Sequence, residues 1–446
     1  MAGAVTCAIV LHVLLVARRR LILGPETLFL GLAVGTYLAT LAASIRSGSL
    51  DGMRYASFIG LGIVSFVLGA VVANLLLRFD HRRELDAFVA RPWLDDLHGA
   101  IRSLALFIGA VAVAVAVAYY VSLGAFVPLM AFRAFLQSGT AAMVTTYNEL
   151  RASTRSGTYL GLGYVVQFKD VLLPLVASLF VVQYRLRSPL RSLLVASTFT
   201  IAVLAVASGT GGRFALAMVG LLFLALGVAP YMRPAQLTRI QNLAAGVVLV
   251  AALTGLTLMM GPRGQQGPFE SILWAPYQVL ERVCVGPARE RLIVFEWFLS
   301  GEEAQLGSAA LEGLGIALPG PSEYNLPNQL HELLYGGATG NVALDVWGGL
   351  WYDWHWKGLG IAVGLGALFH GAYVLLLRGR KSVVRVVALT HAGLILGLAP
   401  DLHVLLLRGF ATVHIFLLLA TVVCVVGPGR EGKASRDLAE GSALPA

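Results

Sequence analysis

Apolar runs of about twenty residues, nearly free of charge, recur along the whole chain and are separated by shorter polar segments. At about 1.5 Å of rise per residue, about twenty helical residues cross a hydrocarbon core of about 30 Å. The pattern predicts membrane spans over residues 2–17, 24–45, 56–77, 103–121, 160–182, 192–208, 214–230, 241–260, 358–377, 386–400 and 404–426. The expected architecture is an all-α polytopic membrane protein of about eleven transmembrane helices. Residues 1–260 hold spans 1 to 8, with short loops and an external segment at 122–159. Residues 261–357 form a long loop between spans 8 and 9, residues 358–426 carry the last three spans, and the polar tail 427–446 is expected to be disordered. A loop of that length without structure would be anomalous, so helices and function are expected inside it.

Composition agrees with the pattern. Hydrophobic residues make up 57% and charged residues 13%, against about 25% charged in soluble domains. The mean hydropathy is +0.78. The net charge of +9 does not point to nucleic acid, because Lys and Arg sit in short clusters between apolar runs. One set of alternate connections holds Arg18 to Arg20, Arg78, Arg82, Arg83, Arg91, Arg102, Arg185, Arg187, Arg191, Arg233, Arg239, Arg378, Arg380, Lys381, Arg385 and the tail residues Arg430, Lys433 and Arg436. The positive-inside rule makes that side cytoplasmic, with the N-terminus outside and the C-terminus inside. The first apolar run precedes Arg18 to Arg20 rather than following a basic region, so it reads as a retained span. Within the cytoplasmic set, 78–102 is amphipathic and is expected to lie at the headgroup surface.

The three cysteines, Cys7, Cys284 and Cys424, form no CxxC or zinc spacing. No phosphate-binding glycine loop of the GxxxxGK[ST] type occurs. The glycines of GLGIAVGLGALFHGAY lie inside a span, where they serve close helix packing. Lys169 and Asp170, in VVQFKDVLLP, are the main charges within a span, and Pro174 is placed to break it. His370, His391, His403 and His414, in or beside spans, read as structural.

The chemistry concentrates on the external side. The segment SGTGGRF, 208–214, joins two spans and carries Arg213, a costly charge near hydrocarbon unless it faces a cavity or an anion. Arg155, Arg263, Arg282, Arg289 and Arg291 add guanidinium groups to the external segments, a set suited to phosphate or diphosphate. His331, in NQLHE beside Glu332, is the candidate general base, because a neutral imidazole takes a proton from a hydroxyl near neutral pH. Asp345 is a further acid or base candidate. Trp351, Tyr352 and Asp353, in WYDWHWKG, are sugar-binding candidates, and His355 is a weaker alternative base. The same aromatics also fit a membrane–water boundary.

Three features resemble the bacterial O-antigen and oligosaccharide repeat-unit polymerases (Wzy-type), relatives of the O-antigen ligases. They are the glycine-flanked arginine of SGTGGRFALAMVGLLFLALG, the loop start YQVLERVCVG, and the loop end PNQLHELLYGGATGNVALDVWGGLWYDWHWKGLGIAVG, within residues 140–377. The resemblance implies a GT-C-like helical membrane fold in the bacterial inner membrane, with the long loop periplasmic. It implies a metal-independent, cofactor-free enzyme whose partners are undecaprenyl-diphosphate-linked glycan donor and acceptor, membrane lipids and a chain-length regulator protein. By resemblance, Arg213 and Arg282 hold the diphosphate and His331 activates the acceptor. Many ligases carry a His-Asn pair in this loop, whereas here His331 precedes Glu332. An O-antigen ligase, differing only in acceptor, and a transporter or flippase of lipid-linked glycans are the rival readings.

Overall fold

The computed structural model describes residues 25–94, 97, 99–124, 126–156, 167–187, 190–209, 286–296, 330–332, 334, 336 and 345–397, together with Val5. These residues are mostly helical, and no strand occurs among them. Apart from Val5, the spans expected over 2–17, 214–230, 241–260 and 404–426 lie outside the described residues.

Helices α1 (Pro25–Ser47) and α2 (Leu50–Leu76) form a tight hairpin. Gly48 takes a positive φ of 68° at the turn, and the Ser49 hydroxyl caps α2 by accepting from the Gly52 amide at 3.0 Å. The amphipathic α3 (His81–Ala90) follows, then α4 (Gly99–Leu123) and α5 (Val127–Ser156). The external segment expected at 122–159 is thus largely one helix, kinked at Gly139, whose φ is 82°. A π-turn (Gln167–Leu172) leads into α6 (Leu173–Arg187), and α7 (Leu190–Ser208) returns. Pro174 sits in the first turn of α6, where its missing amide costs little. The irregularity expected near it is the π-turn just upstream. Within the long loop, α8 (Gly286–Val294) and α9 (Val346–Trp354) are helical. A 3-10 turn (His355–Lys357) joins α9 to α10 (Gly358–Arg378), and α11 (Val383–Gly397) follows.

Four helical stretches, Phe29–Ser47, Leu50–Leu76, Ile101–Leu123 and Val346–Arg378, are long and apolar enough to cross a membrane. Their surfaces bear this out. Leu68, Leu75, Phe107, Val121 and Leu375 point outward, while Glu26, Thr40, Ser44, Lys169 and His370 are buried. Buried hydroxyls return their protons to their own helix: Ser44 to the Thr40 carbonyl and Ser178 to the Pro174 carbonyl, both at 2.7 Å.

The tightest pairing is α2 on α10. A Cβ on Gly69 would strike the Val363 carbonyl, and one on Gly366 would strike the Phe66 carbonyl, so the two backbones meet where side chains are missing. Gly360, Gly364 and Gly371 in the same run meet nothing. Around this crossing, α1, α8 and α9 share one core built on Phe29, Phe58, Phe66, Phe295, Trp347 and Trp351. Helices α4, α6 and α7 form a second group, and α11 packs against both α1 and α6. The apolar side of α3 is filled by protein: Leu85 and Phe88 pack against Tyr373, Val374 and Leu377 of α10.

Candidate functional site

At the end of the bundle where α2 and α10 begin, three distant parts of the chain converge on Asp345. Asp345 caps α9, its Oδ1 accepting from the Gly348 amide at 2.5 Å. The same oxygen accepts a hydrogen bond from the Tyr55 hydroxyl, 2.7 Å away and 290 residues earlier. The second oxygen, Oδ2, lies 3.2 Å from Nη1 of Arg291 on α8. That approach brings charge to charge without hydrogen-bond alignment. Asp345 Oδ2 and Arg291 Nε and Nη1 are buried with no hydrogen-bond partner. Both side chains are nearly enclosed, at 8% and 10% exposure. A buried ion pair recovers its full desolvation cost only when its remaining polar atoms are also hydrogen-bonded, and here the facing atoms are not.

Aromatic rings wall the pair. Phe295 stacks on Tyr55 at 4.7 Å between centroids and leans on Trp351 at 5.3 Å. Trp351 is also met by Phe58 at 5.0 Å, His355 at 5.0 Å and Trp356 at 5.2 Å, and the Arg54 guanidinium lies 5.3 Å over its ring. Apolar walls lower the local dielectric and strengthen the field of each fixed charge inside.

The structure sorts the expected site residues into groups. Asp345 and Arg291 come together. Leu330 packs in the same core as Phe295, Trp347 and Trp351, which sets the half-buried His331 beside this region. Glu332 is exposed, and its carbonyl accepts from the Gly336 amide at 2.8 Å as the helical turn ends. Of the residues expected to bind sugar, Trp351 is 1% exposed and lies in this core, and Asp353 is fully buried. Tyr352, partly buried, packs against the same core. The exposed ring is Trp356. Arg213, Arg263 and Arg282 lie outside the described residues, as do the side chains of Arg155 and Arg289. Gly209, in the SGTGGRF turn, faces Tyr120: a Cβ there would strike the phenol ring, whose hydroxyl donates to the Val206 carbonyl.

Tyr55 and Arg54 were not expected. The segment RSGSLDGMRYA shows only a tyrosine just before the span expected over 56–77, and no local signal marks it. Glu26 and His370 do carry one, because each is an ionisable residue in an apolar run. Among the described residues, no three His, Cys, Asp or Glu side chains are grouped as metal ligands.

Comparisons of this chain with protein-family models, with curated proteins and with solved structures find no match.

Proposed function

We propose that the chain is a GT-C-like membrane glycosyltransferase of about eleven spans. It polymerises undecaprenyl-diphosphate-linked repeat units at the periplasmic face. One observation carries the reading: Asp345 has one oxygen committed to Tyr55 and Gly348 and the other left without a hydrogen-bond donor beside Arg291. Such a carboxylate is held in place yet keeps a lone pair for an incoming hydroxyl. In the proposed reaction the acceptor hydroxyl gives its proton to Asp345 Oδ2. The acceptor oxygen bonds to the anomeric carbon of the donor. The bond from that carbon to the diphosphate breaks, and the electron pair leaves with the carrier. Arg213 and Arg282 are assigned to the developing diphosphate charge. Arg291 lies against the carboxylate and fixes its orientation, and His331 is the alternative base.

The test uses the purified full chain in lipid nanodiscs with undecaprenyl-diphosphate repeat units, read as longer lipid-linked products. Asp345→Asn should abolish elongation while His331→Gln leaves a measurable rate. Elongation at the wild-type rate by Asp345→Asn would remove Asp345 as the base. Addition of a lipid A core acceptor separates ligase from polymerase by which product grows.

A transporter of lipid-linked glycans is the second reading, favoured by Lys169, which is buried on the π-turn before Pro174. Movement of a labelled lipid-linked glycan across vesicles by the wild type, without elongation and lost in Lys169→Met, would favour it.

A further inference from the structure

The junction of α9 and α10 carries cations that nothing in the site described above uses. Arg54 is exposed, as is Lys357. Neither enters any ion pair among the described residues. The Arg54 guanidinium lies over the Trp351 ring, and its charge reaches the His355 imidazole. His355 stacks on the same Trp351 ring at an interplanar angle of 24°. Its backbone takes φ 47° and ψ −134°, a conformation that L residues rarely hold unless their surroundings impose it. Trp356, 42% exposed, meets Trp351 edge-on and lies 5.8 Å from Phe58. Of the nearby carboxylates, Asp353 is fully buried, and Asp51, in the first turn of α2, forms no ion pair among the described residues.

We infer that Arg54, His355 and Lys357 form a seat for the phosphoryl headgroup of an anionic membrane phospholipid, with Trp356 anchoring it at the bilayer boundary. Three arguments support this. The seat lies where an apolar helix, α10, begins, and tryptophan favours the headgroup level. The charge pattern assigns this end to the side poorer in Lys and Arg, so topology does not explain the cluster. Guanidinium, ammonium and imidazole N–H groups together match phosphate oxygens, and among the described residues no carboxylate pairs with Arg54 or Lys357. The ligand is a phosphodiester lipid, so the inference does not rest on glycosyltransferase activity.

The experiment places the full chain in phosphatidylcholine nanodiscs with graded phosphatidylglycerol and counts retained phosphatidylglycerol by native mass spectrometry. Arg54→Gln and Lys357→Gln are each expected to weaken retention about fivefold, on the scale of one cation at an anionic surface. Trp356→Ala should lower it further. Arg46→Gln removes an exposed charge from the last turn of α1 at the same end, and should leave retention unchanged. Circular dichroism melting confirms that each variant is folded. Equal losses in Arg46→Gln and Arg54→Gln would reduce the effect to net charge and overturn the seat. Release of the lipid by millimolar inorganic phosphate would show a free-anion site and overturn the lipid assignment.

Discussion

The two ends of the α1–α2–α10 bundle are made from similar residue types and treat them in opposite ways. At the end where α10 finishes, several charged groups are matched within the protein. Glu26 and His370 lie 2.9 Å apart, and the other imidazole nitrogen is 3.1 Å from Asn74. Arg91 donates to the carbonyls of Leu377, Arg378 and Gly379, which are left open as α10 ends. Lys381 donates to the Val89 carbonyl at 2.9 Å and lies over the Trp93 ring. At the Asp345 end, three polar atoms stay buried without hydrogen bonds, and Arg54 and Lys357 have no ionic partner among the described residues. A satisfied network closes a bundle, whereas an unsatisfied one is a place for something to bind.

Substitutions at both ends sharpen this contrast. The largest effect is expected from Asp345→Asn, which should cut the elongation rate about 10²–10⁴-fold, the usual weight of a general base. Its melting temperature should fall as well, because the buried Arg291 guanidinium loses its counter-charge even though Asn still caps α9. Arg291→Gln should destabilise by about 3–5 kcal/mol, because it strands a buried carboxylate. The Arg291→Gln, Asp345→Asn pair should recover most of that loss in a denaturation series. If the double variant is no more stable than Arg291→Gln alone, the charges are not coupled. At the shared crossing, Gly366→Ala should cost about 1–3 kcal/mol by pushing α10 from α2, while Gly364→Ala, facing open space, should be neutral in the same melt. At the matched end, Glu26→Gln keeps an acceptor for His370 and should lose about 1–2 kcal/mol, with elongation unaffected. Smaller than the loss at Glu26, Glu84→Gln should shift stability by under about 1 kcal/mol, since its pair with Arg378 is partly solvated.

Much of the scaffold was legible in the residue pattern, and little of the site was. The apolar runs over 24–45, 56–77, 103–121 and 358–377 correspond to α1, α2, α4 and α10, because run length is a local property. Gly366, in the run GLGIAVGLGALFHGAY, could be assigned to packing as a class. Which glycines of the run make contact depends on where α2 crosses α10, and that lies outside local sequence. Asp345 and Arg291 were candidates among many polar residues, and nothing local ranked them. Trp351 and Trp356 stand five residues apart in one aromatic stretch, yet one is sealed and the other open. Composition cannot separate them, because the turn at His355 sets which ring faces outward.

The sequence by itself determined that this chain is helical and suited to a bilayer, because helix length and side-chain hydropathy act residue by residue on transfer from water. Only the tertiary structure decided that Tyr55, Arg291 and Asp345 meet. Their contact depends on how three helices pack, and a hydrogen bond across 290 residues leaves no periodicity in the chain that forms it.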